Sequence, residues 1–98
     1  MLLAHAVTLA EARSYVAALA DYARTFDASV EYERVLLQLD WIHGDHVPGI
    51  GPVFIDRREV LFAVAEAAIE DLVGHGVDAL RVELVLDMLH AARAKDVP

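Results

Sequence analysis

Two imidazoles and a carboxylate fall within four residues at His43-Gly44-Asp45-His46. Such a set offers nitrogen and oxygen ligands to a borderline metal such as Zn or Fe. Asp40 precedes His43 by three residues, and Asp87 precedes His90 by the same interval, a spacing that puts carboxylate and imidazole on one helix face. A metal-binding reading, as a small helical protein or enzyme, therefore centres on His43, Asp45, His46 and Asp40, with Zn or Fe as the cofactor. The plainer alternative leaves these side chains solvated in a loop and needs no cofactor.

Other chemistry is harder to place. Ser14 and Ser29 sit on a helix face and at a candidate helix cap, with no nucleophile elbow around either. Gly44, Gly49 and Gly51 form neither a dinucleotide fingerprint nor a Walker loop. The chain has no cysteine, which excludes disulfides, thiolate nucleophiles and thiolate metal sites. His75 lies between two glycines after Asp71, where its charge suits the carboxyl end of a helix. His5 receives no role. Nucleophilic catalysis is not expected, and the balance points away from an enzyme.

The chain has 98 residues, enough for one domain. Sixteen acidic residues against eight basic ones give a net charge of -8, opposite to the electrostatic footprint of a nucleic-acid binder. The same charge keeps a small protein soluble and favours a basic protein partner. Hydrophobic residues make up 57%, and the mean hydropathy is +0.40. That surplus implies that some apolar surface faces another subunit. No apolar run reaches the roughly 18 to 20 residues needed to cross a bilayer, and the opening lacks the basic flank of a signal peptide. Neither a membrane nor a nucleic acid is an expected partner, and the expected location is cytoplasmic.

The elements that must position these residues read as helices. Thr8-Leu9-Ala10-Glu11 has the form of a capping box and predicts a helix from Leu9, with Leu9, Ala12, Val16, Leu19, Ala23 and Phe26 as its apolar stripe. A second helix follows a cap at Asp27 or Ser29 and runs through Ile42, a strand over 30–42 being the alternative. Its wheel has two apolar faces, one of Tyr32, Val35, Leu36, Leu39 and Ile42 and one of Val30, Leu37 and Trp41. A long Gly/Pro-containing connection spans 43–55, with a turn at Pro48-Gly49 and room for a short extended stretch at 53–55. Asp56 is expected to cap a third helix that ends near Val73 with Gly74 as its terminator, Glu59, Glu66 and Glu70 forming a solvated stripe. Asp78 caps a fourth. The predicted fold is all-α: a single domain, 1–98, built as an irregular four-helix bundle.

The fourth helix is apolar over more than half its wheel, with Glu83, Asp87, His90 and Arg93 as its one polar strip. This predicts a homodimer, with Arg81, Leu84, Met88, Trp41 and Leu37 as the interface residues. Arg81 stands where the helix dipole disfavours a cation. It is expected either to lie along the surface or to meet a carboxylate, Glu33 or Asp40, of its own chain or of a second copy.

Two local resemblances complete the reading. Asp40-x-x-His43 and Asp87-x-x-His90 resemble the Glu-x-x-His pairs of di-iron helical bundles, with aspartate in place of glutamate. Glu70-Asp71-Leu72 and Gly76 to Val85 resemble the segment of acyl carrier proteins around their prosthetic-group serine; Ala79 stands at the serine position, so attachment of that group is not carried over. The last two helices also suggest a helix-turn-helix, yet the second presents Glu83 and Asp87 where DNA readers present basic or amide side chains. The expected function is a small acidic protein–protein interaction module, an adaptor or regulator without catalysis.

Overall fold

The computed structural model describes residues 3–43 and 49–97, the side chains of Leu3 and His43 excepted. Four α-helices, α1 (Leu3–Asp21), α2 (Phe26–His43), α3 (Arg58–Asp71) and α4 (Ala79–Lys95), are joined by irregular segments and a 3₁₀ turn at Leu72–His75. No strand occurs among the described residues: 30–42 is helical and 53–55 is irregular. The fold is the all-α four-helix bundle expected.

The helices pack in a ring in which α1 touches α2 and α3, and α4 touches α2 and α3, leaving α1/α4 and α2/α3 as diagonals. Arg58 Nη1 donates to the Tyr22 carbonyl at 3.0 Å, which puts the start of α3 beside the end of α1. His75, after α3, stacks on His5, near the start of α1. Neighbouring helices are therefore antiparallel, and the connection from α2 to α3 must return the length of the bundle. Its described part lies on α1: Gly51 N donates to the buried Ser14 Oγ at 2.9 Å, and Val53 and Ile55 pack on the core while Phe54 points to solvent. The expected turn at Pro48-Gly49 lies outside the described residues.

Helix ends depart from the expectations in five places. α1 starts at Leu3, not Leu9, so the Thr8/Glu11 motif lies inside the helix. Leu3, Ala4 and Ala6 are good helix formers with no breaker among them, and the Thr8 hydroxyl lies 3.3 Å from His75 Nε2 instead of capping. α1 also ends before Ala23 and Phe26, which leaves Phe26 exposed at the head of α2. That helix is capped by Thr25, not by Asp27 or Ser29. Thr25 Oγ1 accepts from Ala28 N at 3.1 Å and donates to the Lys95 carbonyl at 2.8 Å, so one hydroxyl serves α2 and ties down α4. Ser29 is drawn away to donate to the Ala20 carbonyl.

Asp56 does not cap α3. The cap position is Arg57, with no side-chain bond, because the extended chain that packs Val53 and Ile55 inward delays the helix. At the far end the chain tightens into the 3₁₀ turn and buries Leu72 fully, so the reversal falls on Gly76 (φ 93°) and not on Gly74. Gly76 N donates to the Val73 carbonyl and Val77 N to the Leu72 carbonyl, both at 3.1 Å, the two bonds of a Schellman motif. Asp78 caps α4 as expected, accepting from Leu80 N at 2.8 Å. No helix among the described residues is long and apolar enough to cross a membrane.

Candidate functional site

α2 needs two apolar partners and finds one. Tyr32, Val35, Leu36 and Leu39 enter the core, whereas Leu37 and Trp41 remain 66% and 84% exposed. α4 repeats the pattern: Val82, Val85, Leu89 and Ala92 are buried, and Leu80 and Leu84 are 75% and 50% exposed. Because the two helices are neighbours, their outward rows merge into one flank. Two shallow cavities indent it, one of about 360 Å³ bounded by Arg34, Leu37, Gln38, Trp41 and Met88. The other, of about 240 Å³, is bounded by Gln38, Trp41, Ile42, Arg81, Leu84 and Val85. Trp41 forms a wall of both. The structure thus brings Arg81, Leu84, Met88, Trp41 and Leu37 together around two adjoining hollows. Contiguous apolar patches are candidates for interaction sites in a way that single exposed apolar side chains are not.

The polar residues around this flank are divided. Asp40 is held by Arg13, whose Nε lies 2.9 Å from Oδ1, so within this chain it is Arg13 and not Arg81 that takes the carboxylate. Arg81 is exposed beside Trp41 with no carboxylate within ion-pair distance among the described residues. Arg34 pairs with Glu31 at 3.3 Å, and Lys95 reaches the same Glu31 oxygen at 3.3 Å. Helical periodicity puts Glu33 on the outer side of α2, and Glu83 and Asp87 on the side of α4 away from α2.

Of the metal-candidate residues, Asp45, His46 and the side chain of His43 lie outside the described residues, and Asp40 is engaged by Arg13. Among the described residues no group of three His, Asp or Glu side chains is placed to hold a metal ion. Asp87 and His90 do not act as a pair: His90 Nε2 meets Glu66 of α3 at 2.5 Å, and its ring stands edge-on to Phe62. The acidic stripe of α3 is therefore not wholly solvated. His5 and His75 form a stacked pair, centroids 5.5 Å apart at 11°, beside an open cavity of about 520 Å³ that Arg81 and Asp78 also line. Sequence reasoning missed this pair because no spacing rule links residues so distant in the chain.

Tyr32 is 1% exposed, and its hydroxyl is pushed up to about 12, chiefly by burial and then by the charge of Asp96; Arg93 and Arg58 oppose the rise. A raised phenol favours the protonated form in the folded state. Its contribution is intact below pH ~10 and is lost as pH rises from ~10 toward ~12. Between pH 8 and pH 11.5 wild-type protein should lose about 2 kcal/mol more stability than Tyr32→Phe, read from denaturant unfolding at the two pH values.

No protein-family model, no curated protein and no solved structure matches this chain.

Proposed function

We propose that this protein is a non-catalytic interaction module that homodimerises through the α2–α4 flank and presents its remaining acidic surface to a protein partner, in an adaptor or regulatory role. The carrying observation is the uncovered apolar flank, with Leu37, Trp41 and Leu84 all at least half exposed. On the opposite side of the bundle the chain covers itself, since the segment after Gly49 lies over α1. No such segment covers α2 and α4 among the described residues.

A second copy is the occupant that fits best. A two-fold contact needs a self-complementary surface, and this one supplies apolar hollows beside apolar ridges with a rim of both signs. Arg34, Arg81 and Lys95, three of the eight basic residues, lie on or beside this flank, while Glu33, Glu83 and Asp87 flank it. Arg34 and Lys95 share Glu31, so the rim carries both signs, and Arg81 is the cation there with no carboxylate in reach among the described residues. The surfaces left outside carry the acidic excess, which favours a basic partner.

Trp41 is the chain's one tryptophan and stands at the centre of the flank, so it reports directly on association. Its emission should move to shorter wavelength as protein concentration rises, and stay fixed in Leu84→Glu. Emission independent of concentration up to the millimolar range removes the proposal.

A further inference from the structure

At the end of the bundle where α1 and α4 finish and α2 and α3 begin, a cavity of about 290 Å³ is lined by side chains from all four helices. Arg24, Arg58 and Arg93 border it, three of the eight basic residues of an acidic protein. Asp96, its side chain only 6% exposed, is already committed: Arg24 N donates to it at 2.6 Å and Arg58 Nε lies 3.9 Å away. Glu59, also at the rim, lies 3.8 Å from Arg57 outside the cavity.

Three groups are left over, the guanidiniums of Arg24 and Arg93 and the Tyr32 hydroxyl, since Arg24 meets Asp96 through its backbone N alone. The Arg93 guanidinium lies 4.7 Å from the centroid of the Phe62 ring and has no carboxylate within ion-pair distance among the described residues. Tyr32 lines the same cavity while almost wholly buried, and its hydroxyl makes no hydrogen bond among the described residues. That hydroxyl is not sealed inside the core: it opens on the cavity, where a water or a ligand can meet it. The rest of the wall is apolar, from Leu19, Phe62 and Val97.

We propose that this cavity binds a small organic monocarboxylate, its oxygens accepting from the Arg93 guanidinium and the Tyr32 hydroxyl and its apolar body resting on Phe62. The charges agree with that class: three arginines against Asp96 and Glu59 leave one uncompensated positive charge. The phenol stays protonated and able to donate throughout the neutral range, because its burial opposes ionisation. The apolar wall favours an acid with a hydrocarbon body over a fully hydrated anion such as inorganic phosphate. Arginine's planar fork suits a carboxylate, and a charge-assisted hydrogen bond is about twice as strong as a neutral one.

The test titrates the full chain with benzoate at constant ionic strength, following backbone amide shifts, with inorganic phosphate as the comparison. The expected result is saturable, millimolar binding of benzoate with shifts centred on Tyr32, Phe62 and Arg93, and weaker binding of phosphate. Arg93→Gln, at an exposed position that keeps the helix, should weaken benzoate about tenfold or more. Tyr32→Phe, which keeps the buried ring, should weaken it by a smaller factor. Absence of saturable benzoate binding, phosphate binding as tight as benzoate, or unchanged affinity in folded Arg93→Gln overturns the proposal. The cavity is separate from the α2–α4 flank, so this result and the association result stand or fall independently.

Discussion

Replacing Trp41 and Leu84 together by glutamate is expected to leave the protein folded and to weaken the proposed self-association at least ~100-fold. Trp41 is almost fully exposed in the isolated chain and forms a wall of both hollows, and Leu84 borders one of them. Interface hot spots are typically large aromatic side chains that fill a partner's pocket, with truncation costs of about 2 to 4 kcal/mol each. Glutamate adds the desolvation of a charge to that loss. Because neither side chain supports the core of its own chain, the melting temperature measured on dilute protein should barely move. Sedimentation velocity at several concentrations separates the two effects. A dissociation constant within threefold of wild type shows that the flank is not the surface of the proposed dimer.

Leu39→Ala and Leu37→Ala, two residues apart on α2, should have opposite consequences. Leu39 is fully buried and belongs to the core cluster; its truncation is expected to cost about 2 to 5 kcal/mol, from lost apolar burial and from the cavity left behind. For a domain of this size that lowers the melting temperature by ~10 °C or more and removes a large part of the total stability. Leu37 is two-thirds exposed, so Leu37→Ala should change the stability of the isolated chain by less than ~0.5 kcal/mol and instead weaken association. Denaturant unfolding of both variants in dilute solution reads the first difference, and a concentration series reads the second. Equal destabilisation by the two substitutions contradicts the assignment of α2 to one buried and one outward apolar face.

The two faces of α2 were legible in the sequence because apolar residues at helical spacing on two sides have only one explanation within a helix. The same holds for α4, where Asp78 marked the start and the small polar strip left too much apolar wheel for one core. Helix ends were less legible, for local reasons. The Thr8/Glu11 pair carries a start signal, yet Leu3 to Val7 contains nothing to stop a helix and His5 is held on His75, so propagation wins over the cap. Gly74 and Gly76 both fit a terminator. The choice between them is made by burial of Leu72, which requires one more tight turn before the chain reverses.

Long-range pairings had no signature at all. Arg13 with Asp40, His90 with Glu66, and the gathering of Tyr32, Arg58, Arg93 and Asp96 each join separate helices that only the bundle's ring order brings together. The antiparallel placement of all neighbours also explains why many residues separate α2 from α3: the start of α3 lies at the far end of the bundle from the end of α2.

The association claim is tested most directly by sedimentation equilibrium of the untagged wild-type protein over a wide concentration range at near-physiological salt. A mass rising from 10.7 kDa toward twice that value, with a fit to a single monomer–dimer equilibrium, is the predicted result. A mass that stays at 10.7 kDa up to the highest concentration contradicts the account, because the α2–α4 flank then remains open to solvent in the presence of many copies of itself.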